Sequence, residues 1–343
     1  MLQQQGFNFL KIDTCSATPK YLQVRDSIVS ALECGKLKKG DVLPSINDLS
    51  YILDISRDTT EKGYRYLKNT GFINSIPGKG YYISNSEYKK DIRVCLLFNK
   101  LSAHKKIIYD AFSDALGDQA FIDFYIYNND YAIFKKLIKS TKNDYSHYVI
   151  IPHFVDGGED AFEIIDSIPK EKLLILDKQV QGVNGDYASI YENFATDIYQ
   201  ALTTVLPNLS KYRAIKIVFP KKSYYPKEIL KGIKLFCNQH SFNYVVVDNM
   251  EKEVINRGDL YINVMEDDLV QLLEKVINLG LEVGKDVGII SYNETPLKKY
   301  ILNGITTVST DFKMMGYMAA QAVLNNSKAK HAVPFNIILR DSL

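Results

Sequence analysis

Asp54-Ile-Ser-Arg-Asp-Thr-Thr-Glu-Lys-Gly-Tyr-Arg-Tyr-Leu67 reads as a short turn followed by a helix. Ser56 is suited to the N-cap, because its hydroxyl can accept from an otherwise orphan amide one turn on. Thr60, Tyr64 and Leu67 share one face at helical spacing, whereas Arg57, Thr59, Lys62 and Arg65 share the other. A first turn that offers a guanidinium and a hydroxyl suits the major groove of DNA. Taken alone, such a stretch is more often a solvated charged face.

The neighbours decide between these readings. Pro19 opens a helix with Tyr21, Val24, Ile28, Ala31 and Leu32 as its apolar stripe, closed by Gly35. Ser45 caps a second helix, with Asp48 as a capping-box-like partner and Ile46, Leu49, Ile52 and Leu53 as the buried face. After the opening stretch, Gly71-Phe-Ile and Tyr81-Tyr-Ile-Ser flank the turn Pro77-Gly78-Lys79-Gly80, a β-hairpin pattern. Three helices and a basic, glycine-rich two-stranded wing make a winged helix-turn-helix over residues 1–84. This segment also holds the positive charge. Residues 1–90 carry 13 Lys and Arg against 9 Asp and Glu, and the remainder 29 against 31, within an overall net charge of +2. The excess is modest and consistent with phosphate contact.

Residues 85–91 are polar without apolar periodicity and read as a linker. From Ile92 to the end, short apolar runs alternate with helical patterns. Strands are expected at Ile92–Phe98, Phe121–Tyr127, Tyr148–Ile151, Leu173–Leu176 and Ala188–Tyr191, and again at Ala214–Phe219, Tyr244–Val247, Leu260–Val264 and Val287–Ile290. Two βαβ series of similar length predict an α/β domain over 92–343 with two doubly wound lobes. In such sheets ligands bind beyond the C-terminal strand ends, here at the cleft between lobes. The candidates at those ends are Asn99, Lys100, Ser102, His153, Asp177, Lys178, Tyr191, Glu266 and Asn293. Their amides, carboxylates, imidazole and amines suit a ligand dense in hydroxyls, such as a sugar, and Tyr191 could stack on its apolar face.

Composition excludes other classes. Hydrophobic residues make up 46% and charged residues 24%, as in an ordinary soluble globular protein, and no apolar run reaches the roughly 18 residues of a membrane helix. The first residues lack the basic and apolar regions of a signal peptide, so a cytoplasmic location is expected. Cys15, Cys34, Cys95 and Cys237 are scattered, and the five histidines show no metal-ligand spacing. There is no Gly-x-Ser-x-Gly nucleophile and no phosphate loop, and scattered carboxylates such as Glu192 and Glu294 have no partner in sequence. Neither a catalytic residue, a metal nor a cofactor is expected.

Pro19-Lys-Tyr-Leu-Gln, Gly35-Lys-Leu-Lys-Lys-Gly-Asp-Val-Leu-Pro-Ser45, Ile55-Ser-Arg-Asp-Thr59 and Gly78-Lys-Gly80 resemble the GntR family DNA-binding domain in order and spacing. The resemblance covers about residues 19–84. It implies that Ser45, Arg57, Thr59, Lys79 and Gly80 meet DNA, with Asn47, Ser56 and Lys62 beside them. One departure stands out: the family has Pro-Ser-x-Arg at the start of the second helix, where this chain has Pro44-Ser-Ile-Asn47. The rest is similar to the periplasmic-binding-protein fold as used in LacI-family repressors. Leu174-Ile-Leu-Asp177, Val287-Gly-Ile-Ile-Ser-Tyr-Asn293, Gly304 to Asp311 with Met315-Gly316, and Phe335-Asn-Ile-Ile-Leu-Arg340-Asp-Ser342 carry that similarity. It implies a sugar or nucleoside effector at Asp177, Glu266 and Asn293. That family commonly has Asp where this chain has Asn293, and often Arg where it has Ile229.

The combined expectation is a cytoplasmic, operator-binding regulator, a repressor by preference. It would act as a homodimer through the helices Lys105–Asp118 or Met314–Leu324 and respond to a small effector such as a monosaccharide or its derivative. The alternatives are an enzyme, or a plain ligand-binding protein, carrying an accessory DNA-binding domain.

Overall fold

The computed structural model describes Phe7 and residues 9–16, 18–84, 92–141 and 145–343. The linker expected at 85–91 lies outside the described residues. Two compact units divide the chain. One comprises Met1–Leu96, Asp118–Tyr125 and Asp144–Ser146, and the other Leu97–Gly117, Ile126–Asn143 and His147–Leu343.

The first unit opens with α1 (Lys20–Glu33), α2 (Ile46–Leu53) and α3 (Arg57–Asn69), followed by the antiparallel hairpin of β1 (Ile73–Ile76) and β2 (Gly80–Ile83). The hydrogen-bonding chemistry expected at the helix starts is present. The Ser45 Oγ accepts from the Asp48 amide at 3.2 Å while its hydroxyl donates to Asp48 Oδ2 at 2.6 Å, and the Ser56 Oγ accepts from the Thr59 amide at 3.2 Å. Asp54 turns the chain between α2 and α3 with φ of 50°, a left-handed conformation that Asp tolerates. Gly63 sits where α3 crosses α1. A Cβ there would lie 2.8 Å from Val24 Cγ1 and 2.9 Å from the Tyr21 carbonyl oxygen, so close helix packing accounts for this mid-helix glycine. Thr60, Tyr64 and Leu67 are buried against Val24, Ile28 and Leu49.

This unit also takes in most of β3 (Ile92–Phe98) and β4 (Ala120–Ile126). The Thr18 hydroxyl donates to the Ile122 carbonyl at 2.8 Å and accepts from the Phe124 amide at 2.7 Å. The Arg25 guanidinium lies 4.0 Å from the Phe121 ring centroid and 5.0 Å from that of Tyr66. The Tyr66 hydroxyl, near the end of α3, donates to Asp118 Oδ1 at 2.6 Å. The α1–α3 pair and β4 therefore share one interior.

The second unit adds α4 (Ala103–Leu116), α5 (Tyr131–Ser140), β5 (His147–Ile150), α6 (Ala161–Asp166), β6 (Leu173–Asp177) and β7 (Ala188–Tyr191). After these come α7 (Phe194–Thr204), α8 (Leu206–Leu209), β8 (Ala214–Val218), α9 (Lys227–Gln239), β9 (Asn243–Val247), β10 (Asp259–Asn263), α10 (Glu266–Asn278) and β11 (Gly288–Tyr292). The chain ends with β12 (Thr306–Thr310), α11 (Phe312–Leu324), β13 (Lys330–Ala332) and β14 (Phe335–Ile338). The first sheet has the order β13-β7-β6-β5-β3-β4 and the second β14-β12-β11-β10-β8-β9. Parallel pairing and strands buried on both faces, such as β6 and β10, explain their uninterrupted apolar runs.

The two βαβ series are consecutive up to β12. The chain then returns to the first lobe, where α11 packs on α4 and β13 pairs with β7, before β14 closes the second sheet antiparallel to β12. The return is tight: a Cβ on Gly316 of α11 would lie 2.4 Å from the Ile108 carbonyl oxygen of α4. The closing Arg-Asp-Ser fastens the C-terminus. Arg340 grips Glu294 through two bonds of 2.9 and 3.0 Å, and the Ser342 hydroxyl donates to Ile289 O at 2.7 Å while accepting from the Thr306 amide at 2.7 Å. Ile229 is fully buried in the core of the second lobe, and a Cβ on Gly232 would lie 2.2 Å from the Ala195 carbonyl oxygen.

Candidate functional site

Two sites emerge, one in each unit. In the first, the N-terminal turn of α3 stands in the open. Arg57, Lys62 and Arg65 are exposed and Thr59 is half-buried, opposite the buried Thr60–Tyr64–Leu67 face. The Ser56 and Thr59 hydroxyls lie 2.8 Å apart and complete the cap. Tyr64 holds the helix in place from behind. Its hydroxyl donates to the Pro44 carbonyl at 2.7 Å, and its ring meets that of Tyr81 on the hairpin edge-on, centroids 4.7 Å apart. Burial pushes this phenol well above its ordinary range, so it stays a donor. Ser45 and Asn47 are exposed at the start of α2, as are Lys79 and Gly80 at the hairpin turn. Gly78 and Gly80, with φ of 78° and 86°, occupy backbone conformations that glycine adopts without strain. Arg57, Lys62 and Lys79 thus give this unit exposed cations on α3 and on the hairpin turn.

In the second unit, a cavity lies beyond the C-terminal ends of strands from both sheets. Asn99, His104 and Lys105 enter it after β3, His153 after β5, Asp177 at the end of β6, and Glu192 and Phe194 after β7. Tyr224, Tyr225 and Pro226 come from the loop before α9, Tyr292 and Asn293 from the end of β11, and Phe312 from the start of α11. Only about 20 Å3 among these side chains is free, room for roughly one water. The cleft is closed on its own residues. Lys100, from the first lobe, hydrogen-bonds the Tyr224 hydroxyl of the second and helps to hold it shut.

Charge is concentrated on one side. Lys105 and Asp177 form a buried ion pair, and His153 Nε2 lies 3.0 Å from the same carboxylate oxygen. Burial would raise the Asp177 carboxyl, but Lys105 and His153 outweigh it and hold the group well below the usual carboxylate range. Burial keeps the His153 imidazole below its usual value despite Asp177 beside it, so the ring is neutral. Glu192, with its backbone amide 2.9 Å from the Asp177 carbonyl oxygen, is pushed well above the usual range by burial and by the Asp177 charge. His104, stacked on Phe312 at 5.0 Å, is pulled well down by burial and by Lys105. Asp177 and Asn293 both have positive φ, 73° and 64°, a backbone state that concentrates at ligand sites. Lys298 steadies the second of these: buried, and pulled down to about 8 by that burial, it donates to the Tyr292 and Asn293 carbonyls at 3.0 and 2.6 Å.

Of the nine residues predicted at this site, Asn99, His153, Asp177 and Asn293 line the cavity. Lys100 bonds Tyr224, Ser102 caps α4 by accepting from the Lys105 amide, and Lys178, Tyr191 and Glu266 stand outside the lining. Lys105, His104, Tyr224, Tyr225, Phe194, Tyr292 and Phe312 are not among the residues expected from the sequence, and Glu192 has no partner there. The strand-end rule reaches some of them. Tyr224 and Tyr225 lie in the loop after β8, and Glu192 is one position beyond Tyr191, on the opposite side of the extended chain. Glu294, in contrast, is engaged by Arg340. Among the described residues no group of His, Cys, Asp and Glu is arranged to hold a metal ion, and no helix is long and apolar enough to cross a membrane.

Comparison with known proteins matches these two halves separately. The profile of a periplasmic binding protein-like domain matches residues 210–343. The HTH-type transcriptional repressor YtrA of Bacillus subtilis is 35% identical over 77 residues, which are 22% of this chain and 59% of that protein. The mannosyl-D-glycerate transport/metabolism system repressor MngR of Escherichia coli is 34% identical over 74 residues, 22% of this chain and 31% of that one. Among solved structures, the trehalose repressor from Escherichia coli superimposes with a TM-score of 0.60 at 14% identity, over 72% of this chain and all of the other. The chain therefore has the α/β fold of a periplasmic-binding-protein-like domain behind an HTH-type segment, and it spans less than two thirds of either curated relative.

Proposed function

We propose that this chain is a transcription regulator, acting as a repressor, whose operator affinity is set by a small molecule in the cleft of its second unit. The observation that carries this reading is the capped, exposed first turn of α3 in a winged helix-turn-helix whose sequence relatives are named transcriptional repressors. Arg57, Thr59 and Lys62 would meet base edges and phosphates from the recognition helix, with Ser45, Asn47 and Ser56 at the helix starts and Lys79 and Gly80 at the wing. A single short module supplies few contacts, so operator-level affinity calls for a homodimer. Half-exposed Met314 and Tyr317 beside Ala111 and Ala115 make the α4–α11 face its natural surface. The effector reading rests on four strand-end residues, Asn99, His153, Asp177 and Asn293, that converge on one cavity. A sugar or sugar derivative fits its mixture of aromatic and hydrogen-bonding groups. With so little free space, a ligand of that size requires the lobes to part, and differential binding to open and closed states is what couples a cleft to a distant site. Electrophoretic retardation of DNA from upstream of the chain's own gene, at physiological salt, tests the reading; absence of any specific retarded complex overturns it.

A further inference from the structure

Resting on the effector reading of this cleft, we propose that its ligand carries a protonated primary amine, received by Glu192, His153 and Asn99, and that an amino sugar is the ligand class. Two observations lead there. The first is hydrogen-bond accounting. Asn99 lines the cavity, and its Nδ2 donates to Asn129 Oδ1 at 2.7 Å, which leaves Oδ1 as its acceptor. His153 Nε2 faces the Asp177 carboxylate, an acceptor only, so it carries the ring proton and Nδ1 keeps the lone pair. Asn99 Oδ1, His153 Nδ1 and Glu192 Oε2 are all buried without a hydrogen-bond partner among the described residues, as are the Tyr292 and Thr310 hydroxyls beside Glu192, which can donate as well as accept. Orphaned buried acceptors are rare in folded proteins and costly. A sugar hydroxyl brings one donor and two acceptors, whereas an ammonium brings three donors and no acceptor.

The second observation is charge. Two buried carboxyls, Asp177 and Glu192, and one buried ammonium, Lys105, which is committed to Asp177, line the cavity, while the buried Lys298 ammonium behind it is committed to the Tyr292 and Asn293 carbonyls. Both imidazoles are held neutral by burial. The charged groups that face Glu192 are Asp177 from β6, which its carboxyl also meets at hydrogen-bonding range, and Lys105 from α4, with Thr310 of β12, likewise within hydrogen-bonding range, and the Tyr292 ring of β11 closing the remaining sides. Among the lining residues carboxyls outnumber ammoniums two to one, and a proton on Glu192 offsets the difference. An ammonium replaces it: the ligand binds, Glu192 ionises, and its proton passes to the buffer.

Calorimetric titration of the full chain tests this with glucosamine, galactosamine and mannosamine, their parent hexoses, their N-acetyl derivatives, and ethanolamine as the bare amine. The expected result is binding by at least one free amine, about tenfold or more tighter than its uncharged counterparts, with one proton released as read from buffers of different ionisation enthalpy. Glu192→Gln, which mimics the protonated acid, should keep the fold and lose both the amine affinity and the proton release. Equal or tighter binding by a parent hexose or N-acetyl derivative, binding without proton release, or no binding by any amine overturns the proposal. Retardation of upstream DNA, measured on the same preparation, separates this outcome from failure of the regulator reading.

Discussion

Lys105, at the start of α4, and Asp177, at the end of β6, form an ion pair inside the cleft with side chains only 4% and 6% exposed. Breaking such a pair strands a charge in a dry interior, whereas removing both charges together leaves none stranded. Lys105→Met alone should destabilise the second unit by about 3–5 kcal/mol. The double variant Lys105→Met with Asp177→Leu should recover most of that loss. Denaturant midpoints of the three proteins check the order; equal stability of the single and double variants would contradict it.

Glu192 sets a pH dependence in the opposite sense from most carboxylates. Its folded pKa is raised well above the ordinary value, by burial and by Asp177. The folded state therefore binds the proton more tightly than the unfolded state. The associated stability is complete below the unfolded pKa, near 4.3, and declines as pH rises toward the folded value, at up to about 1.4 kcal/mol per unit. Glu192→Gln removes the linkage, so the variant should gain on the parent as pH increases from about 5 to 8. Melting temperatures across that range provide the measurement, and parallel curves would count against a buried protonated Glu192.

Gly63→Ala offers a test of the α1–α3 crossing. Helix propensity favours Ala by about 1 kcal/mol. The contacts at 2.8 and 2.9 Å with Val24 Cγ1 and the Tyr21 carbonyl oxygen oppose it, and a backbone atom cannot rotate away. Overpacking costs of about 1–3 kcal/mol should win. Thermal unfolding of the variant should show a net loss, with DNA affinity falling alongside it.

At the proposed DNA interface, Arg57→Ala and Lys79→Ala should differ in kind. Loss of a guanidinium that reads a base edge costs about 1–3 kcal/mol and relaxes sequence preference. Loss of a wing lysine on a phosphate weakens all sequences alike and lowers the salt slope by about one. Retardation assays at several salt concentrations, on specific and scrambled DNA, distinguish the two, and near-parental affinity for Arg57→Ala would remove it from the recognition role.

Most of the architecture was legible in the chain because local rules govern it. Ser45 and Ser56 cap their helices as their positions predict, and the Gly78–Gly80 turn closes the hairpin. The apolar runs become buried parallel strands. Gly63 was visible as an oddity, but whether backbone packing or a phosphate demanded it depended on α1 lying 2.8 Å away. At the cleft, the strand-end rule led to Asn99, His153, Asp177 and Asn293 because β-strand geometry alone aims those loops at one edge of the sheet.

What sequence periodicity could not supply was everything made by contacts far apart along the chain. The return of α11 and β13 to the first lobe is decided by the packing of Gly316 on Ile108, a pairing that no local pattern encodes. Lys105 meets Asp177 across 72 positions, and Tyr224 meets Lys100 across 124. The sequence by itself therefore determined most of the helices and strands, and which strand ends open on the cavity. The tertiary structure decided which of those side chains are sealed from water together, and with that which carboxyl is charged, which is not, and what the cleft lacks.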